Sequence, residues 1–162
     1  MRYTEILTSI RQIIRSVNLE SKRIEKEYGI SIPQLLCLNF LHDQEDYQAS
    51  HKGIKDFLKL NASTVTGIIT RLEKKGFIAR LPKRNDKRYA IIVLTAKGAE
   101  LLANTPEPLH KQLSDKLKKL SPEELDRLKL SFDTIIDFLN IESVKASPII
   151  TAVTDIHQSE KA

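Results

Sequence analysis

Signals that start helices recur along this chain and divide it into short helical segments. Residues 31–34 (Ser-Ile-Pro-Gln) and 121–124 (Ser-Pro-Glu-Glu) each place a capping serine before a first-turn proline and a Gln or Glu. Single capping residues precede other helical patterns at Ser50, Asn61 and Thr95. Together with a long amphipathic pattern at the N-terminus, these signals predict a mainly α-helical fold of about six helices.

The composition indicates one soluble domain in a reducing compartment. The chain has 162 residues, of which 41% are hydrophobic and 29% charged, enough for one core and a well-solvated surface. A single cysteine excludes an intramolecular disulfide and a cysteine-rich zinc site. The sequence has neither a signal-peptide pattern nor an uncharged apolar run of about 18 residues. We therefore expect a cytoplasmic protein that does not associate with membranes.

The positive charge is concentrated in the middle of the chain. Residues 52–88 carry 11 basic and 3 acidic side chains, whereas residues 1–51 and 89–162 each carry a slight excess of acidic ones. A run of charged residues is often only a solvated surface, so the predicted local structure has to show whether it is a binding surface instead. An anionic partner is the alternative that such a cluster favours.

The basic segment contains two short helical patterns joined by a tight turn, followed by a β-hairpin pattern. The second helix has apolar residues at i, i+3, i+4 and i+7, from Val65 to Leu72, and Gly76 ends it. Residues 77–81 and 89–94 are rich in β-branched and aromatic residues, and basic and turn-forming residues lie between them. The segment is therefore predicted to be a winged helix-turn-helix with a charged wing tip.

This arrangement favours binding to double-stranded DNA. A helix fits the major groove, where its short polar side chains face base edges, and an arginine on the wing can enter the minor groove. Lysine and arginine beside them neutralise phosphates. The candidate DNA-binding residues are Ser63, Thr64, Thr66, Thr70 and Arg71 on the helix and Lys83, Arg84, Asp86, Lys87 and Arg88 on the hairpin.

Three stretches of this sequence resemble the multiple-antibiotic-resistance regulator (MarR) family of transcription factors. They are residues 63–78, the Asn-Asp-Lys-Arg run at 85–88, and residues 92–98, which end in Leu-Thr-Ala-Lys-Gly. The resemblance implies a single domain over residues 1–142. In it, a winged core at about 31–94 lies between dimerisation helices at about 4–28 and 95–142. The structure of residues 143–162 is left open.

The resemblance also implies a homodimeric repressor that reads a pseudo-palindromic operator and is released by a small aromatic or phenolic ligand. In such a regulator Asp86 would hold Arg88 for insertion into the minor groove. The sequence departs from the family at Gly67, where relatives often carry a long polar or basic residue. Close approach to DNA and neutral drift are both compatible with this glycine.

Independently of the resemblance, a narrow apolar stripe near the C-terminus favours helix-to-helix packing. Its residues recur at steps of 3, 4, 3 and 4: Leu125, Leu128, Phe132, Ile135 and Leu139. Such spacing is typical of a seam between two helices. The partner helix is either in the same chain or in a second subunit.

A few residues are compatible with functions other than DNA binding. His42, Glu107 and His110 would form a metal site if their helices met, and Cys37 would be a redox sensor if it were exposed, but its apolar helix favours a small buried hydrophobe. No catalytic motif or cofactor-binding pattern is present, so neither an enzyme nor a cofactor is expected. The main rival is a winged-helix module that binds protein instead of DNA.

Overall fold

The computed structural model describes residues 1–83 and 86–152, and the side chains of all of these except 83 and 86–89. Most of the described chain is helical, with a small antiparallel sheet in the middle. The α-helices and strands in chain order are α1 (Arg2–Tyr28), α2 (Ile32–His42), β1 (Gln48–Ser50), α3 (His51–Leu58), α4 (Ala62–Lys74), β2 (Ile78–Lys83), β3 (Asp86–Leu94), α5 (Ala96–Asn104), α6 (Leu109–Leu117) and α7 (Pro122–Leu139), with a short 3-10 turn at Glu45–Tyr47.

The predicted helix starts are confirmed. Ser31 and Ser121 both form complete capping boxes, with the side chain three residues on accepting a hydrogen bond from the cap backbone. Asn61 accepts a hydrogen bond from the Thr64 amide at 2.8 Å, and Ser50 and Thr95 cap their helices in the same way. Local side-chain chemistry thus sets most of the element boundaries.

Two details of the architecture differ from the sequence expectation. The described residues form seven α-helices instead of about six, because the segment around Pro106 and Pro108 separates α5 from α6. A third strand, β1, joins the hairpin and pairs with β3, giving the sheet order β1-β3-β2. At three residues, β1 is too short to show an alternating pattern in the sequence.

The hydrophobic core lies among α2, α3, α4 and the sheet. Helix α2 is buried on nearly all sides, and the predicted apolar face of α4 is buried at Val65, Ile68, Ile69 and Leu72. Cys37 of α2 is fully buried, and this burial raises the pKa of its thiol to about 12. The thiol therefore stays protonated at neutral pH and packs as a small apolar group.

Hydrogen bonds and close packing hold the start of α5 against the turn between α4 and β2. The Thr95 hydroxyl donates to the Gly76 carbonyl at 2.7 Å and accepts from the Gly98 amide at 3.1 Å. A Cβ built at Gly98 would overlap the carbonyl oxygen of Phe77 and lie 2.7 Å from Leu94 Cδ1. Glycine is therefore required at position 98 for the close approach of α5 to the backbone at Phe77.

Alanine at Gly98 and alanine at Gly67 are expected to have opposite effects on stability. Gly98→Ala should lower the free energy of unfolding by about 1 to 3 kcal/mol, because its methyl group meets backbone that cannot easily move. Gly67→Ala should raise it by about 0.5 to 1 kcal/mol, since no described atom beyond the adjacent residues and backbone of α4 lies within 4 Å of a Cβ there. Urea unfolding of both variants measures this difference, and equal effects would contradict the packing described at Gly98.

Candidate nucleic-acid interface

Helices α3 and α4 form the predicted helix-turn-helix. Lys59 ends α3 in the left-handed conformation, with φ of 55°, and its amide donates to the Lys55 carbonyl at 2.9 Å. Two residues later the Asn61 side chain caps α4 and also accepts a hydrogen bond from the Ser63 hydroxyl at 2.8 Å. The tight turn thus fixes the angle at which α4 leaves the core.

Helix α4 presents the predicted polar residues on its outer side. Ser63, Thr66, Thr70 and Arg71 are exposed, and Thr64 is half-buried in the first turn. Because the opposite side of α4 is packed into the core, this face cannot turn inward without losing that packing. The structure therefore brings the five helix candidates together on one surface.

Thr66 has a partner on α3 that the sequence patterns did not indicate. His51 Nε2 lies 3.0 Å from Thr66 Oγ1, and the Thr66 hydroxyl donates to the Ala62 carbonyl at 2.9 Å. Ser50, which caps α3, places His51 at the first helical position and directly beside α4. A histidine at the start of a helix has no sequence signature for such a contact, since 15 residues separate the pair.

Thr70 also has a partner outside α4. Arg80 of β2 donates from Nη2 to Thr70 Oγ1 at 3.0 Å, and its Nε lies 3.2 Å from the carboxylate of Glu73. These side chains are partly exposed, so the ion pair adds little stability. Its geometric effect is to tie the first strand of the wing to the middle of α4.

Two of the three acidic side chains in the basic segment are paired within it. Asp56 accepts a hydrogen bond from Lys52 at 2.9 Å, which lowers the pKa of the Asp56 carboxyl, and Glu73 pairs with Arg80. Their negative charges are partly balanced by these neighbours. The surface around α3 and α4 therefore keeps its positive character.

The wing candidates are described only in part. Strands β2 and β3 contain Lys83, Asp86, Lys87 and Arg88, with a register irregularity between Pro82 and Lys83. Arg84 lies outside the described residues, as do the side chains of the other four wing candidates. The backbone of Lys83, Asp86, Lys87 and Arg88 lies at the end of the hairpin strands, and the roles assigned to all five wing side chains stay predictions.

The hypothesised metal ligands are not brought together. His42 Nδ1 lies 3.5 Å from Asp43 Oδ1, and the Glu107 carboxylate pairs with Lys111. His110 Nδ1 accepts a hydrogen bond from the Ile150 amide at 3.3 Å. Burial, with a smaller effect from Lys118, lowers the pKa of His110. Within residues 1–83 and 86–152, no group of three or more His, Cys, Asp or Glu side chains could hold a metal ion.

None of the described helices is both long enough and apolar enough to cross a membrane.

Comparison with known proteins identifies relatives over most of the chain. The MarR family model matches residues 30–89. The transcriptional repressor MprA of Escherichia coli (strain K12) is 32% identical over 129 residues, which cover 78% of this chain and 73% of MprA. The organic hydroperoxide resistance transcriptional regulator of Bacillus subtilis is 29% identical over 126 residues, 78% of this chain and 83% of that protein.

Solved structures share the fold. The S. aureus MepR–DNA complex superposes with a TM-score of 0.58 at 21% identity, covering 82% of this chain and 96% of MepR. A DNA complex of a MarR family regulator from Streptomyces coelicolor gives a TM-score of 0.58 at 20% identity, covering 86% and 89% of the two chains. At these identities the structures show the winged helix-turn-helix fold, and the match to MprA shows the family. The chain belongs to the MarR family.

Proposed function

We propose that this protein is a sequence-specific DNA-binding transcriptional regulator. The observation that carries the proposal is the polar outer face of α4, held outward by a fully packed apolar face and flanked by the excess positive charge of residues 52–88. Family membership supports it, because the curated relatives are transcriptional regulators. Binding would be dominated by phosphate neutralisation, with base contacts adding sequence preference.

Each part of the winged core has a separate role in this proposal. The outer face of α4 enters the major groove, where Ser63, Thr64, Thr66, Thr70 and Arg71 contact bases or adjacent phosphates. On the wing, Lys83, Arg84 and Lys87 neutralise phosphates, Arg88 enters the minor groove and Asp86 orients Arg88. An inserted arginine is favoured by the negative potential concentrated in a narrow minor groove.

The regulator acts as a homodimer on a pseudo-palindromic operator. In the single chain, α7 buries none of its residues, and α1 buries only Glu20 and Ile24. Large apolar side chains on α1 are about half exposed or more: Tyr3, Ile6, Leu7, Ile13, Ile14 and Leu19. An apolar surface of this extent is typical of a protein interface, and a second copy would cover it.

A small aromatic or phenolic ligand would release the repressor from DNA. A cleft of about 550 Å³ lies between the winged core and α6. Stacked rings of Phe40 and Phe57, with centroids 4.4 Å apart, line one side, and Lys111 and Lys118 line the other together with Asp115, whose carboxylate lies 3.0 and 3.6 Å from their ammonium groups. The aromatic wall suits an aromatic ring, and a ligand carboxylate would compete with Asp115 for the two lysines. The location lets a ligand alter how the core sits on the dimerisation helices.

Selection of bound duplexes from a random DNA pool tests the proposed function. The expected product is a pseudo-palindrome whose half-sites lie about one helical turn apart. Repeating the selection with benzoate or salicylate tests the ligand, which should reduce recovery of the same duplexes. Failure to enrich any sequence would overturn the proposal and favour the protein-binding module.

A further inference from the structure

We propose that Thr66 recognises a thymine in the operator through its methyl group, because its hydroxyl is engaged within the protein. The inference rests on the proposed function and deepens it by naming a base that α4 reads. It also makes His51, on the neighbouring helix, a positioning residue for that contact.

The hydrogen bonds around Thr66 fix the direction of each donor. A threonine hydroxyl has a single proton, and that of Thr66 is donated to the Ala62 carbonyl at 2.9 Å. With its proton on the Ala62 carbonyl, the hydroxyl accepts from His51 Nε2, 3.0 Å away, when the imidazole carries a hydrogen on that nitrogen. The two contacts together restrain the rotation of the Thr66 side chain.

This arrangement limits what Thr66 can offer to a base. Its proton is not available for guanine O6 or N7, adenine N7 or thymine O4 unless the contact with Ala62 breaks, and the lone pair that His51 leaves free can accept only from adenine N6 or cytosine N4. The side chain is nevertheless exposed on the outer face of α4, which leaves its methyl group as the part not held by a hydrogen bond within the protein. In the major groove a methyl group is presented by thymine alone among the four bases. Methyl-to-methyl contact is therefore the readout that the intact network favours.

Gly67 provides room beside this contact. Apart from the neighbouring residues and backbone of α4 itself, no described atom lies within 4 Å of a Cβ built at Gly67, so packing against the rest of the protein does not require glycine there. In mid-helix a glycine costs about 1 kcal/mol relative to alanine. The open space next to Thr66 allows the helix to approach the base edge closely enough for two methyl groups to touch.

Replacing thymine by deoxyuracil in the selected operator removes the 5-methyl group and nothing else. One thymine in each half-site is expected to be sensitive, and each replacement there should weaken binding of the wild-type protein about 4-fold, the value of one buried carbon. Wild-type affinity unchanged at every thymine position would overturn the inference.

Two variants assign the effect to Thr66. Thr66→Ser keeps the hydroxyl and loses the methyl, so it should bind thymine and deoxyuracil operators equally. Thr66→Val keeps a methyl and should remain sensitive. Sensitivity kept by Thr66→Ser, or lost by Thr66→Val, would show that the Thr66 methyl group does not read the thymine methyl group, and either result would overturn the inference.

The positioning role of His51 is tested by the ratio of the affinities for the thymine operator and the deoxyuracil operator. His51→Ala should reduce the preference for thymine, and His51→Gln, whose amide can donate, should restore part of it. Thr134→Ser is the matched control, since the Thr134 hydroxyl makes the same bond to the carbonyl four residues earlier, 2.9 Å from Leu130 on α7. It should leave the ratio unchanged.

The outcomes separate this inference from the proposed function. If no duplex is enriched from the pool, the proposed function fails. If a duplex is bound specifically and its thymine methyl groups have no effect, the proposed function stands and the inference about Thr66 fails.

Discussion

Replacing Leu128 and Ile135 of α7 together by lysine is expected to convert a dimeric protein into monomers with a folded winged core. Both residues belong to the 3, 4, 3, 4 stripe, and in the single chain Leu128 is 41% exposed and Ile135 half-buried. Two lysines at the centre of such a seam would leave uncompensated charges in an apolar interface. Sedimentation at micromolar concentration measures the change in mass.

The control places two lysines on the other side of the same helix. Asp126 and Asp137 are exposed and lie about opposite the stripe at 3.6 residues per turn. Asp126→Lys with Asp137→Lys should leave the dimer intact. A wild-type protein that sediments with the mass of one chain would contradict the dimer and, with it, the two-half-site operator.

Arg88→Ala is expected to weaken operator binding by about 1 to 3 kcal/mol per wing. An arginine inserted into the minor groove makes a charge-assisted contact where the negative potential is concentrated, and the variant loses both the contact and the charge. Titration of the selected operator at fixed salt measures the loss. Lys97→Ala, which removes a positive charge from α5 outside the proposed wing contacts, is the comparison.

Asp86→Ala is expected to weaken specific binding as well, although it removes a negative charge from a surface that meets phosphates. Coulomb attraction alone predicts that removing this negative charge strengthens binding to DNA. If the Asp86 carboxylate holds Arg88 in position, its loss should affect operator binding while non-specific affinity stays equal or rises slightly. A double-mutant cycle over Asp86 and Arg88 decides between pairing and a turn-shaping role for Asp86: strictly additive losses would reject the pairing.

Local chemistry explains how much of the fold could be predicted from the sequence. Capping serines, threonine and asparagine mark where α2, α3, α4, α5 and α7 begin, and the apolar spacing from Val65 to Leu72 identifies the buried side of α4. These signals act over three to seven residues, so a single sequence displays them fully. The same apolar spacing also predicted which side of α4 faces outward.

Contacts between elements distant in the chain could not be predicted in this way. Strand β1 forms because its three residues meet β3, and the contacts of His51 with Thr66 and of Arg80 with Thr70 join different elements. Each depends on how two elements pack, which periodicity does not encode. The polar surface of α4 was therefore predicted, and the hydrogen bonds that orient Thr66 and Thr70 were not.

The salt dependence of operator binding tests the central claim, that residues 52–88 form a phosphate-binding surface around a reading helix. If each subunit contacts about four phosphates, the dimer neutralises about eight, and log K should fall against log salt with a slope of roughly −7. The measurement is equilibrium binding of the selected duplex between about 50 and 200 mM salt. A slope near zero would contradict the claim and would mean that the central basic segment is only a solvated face.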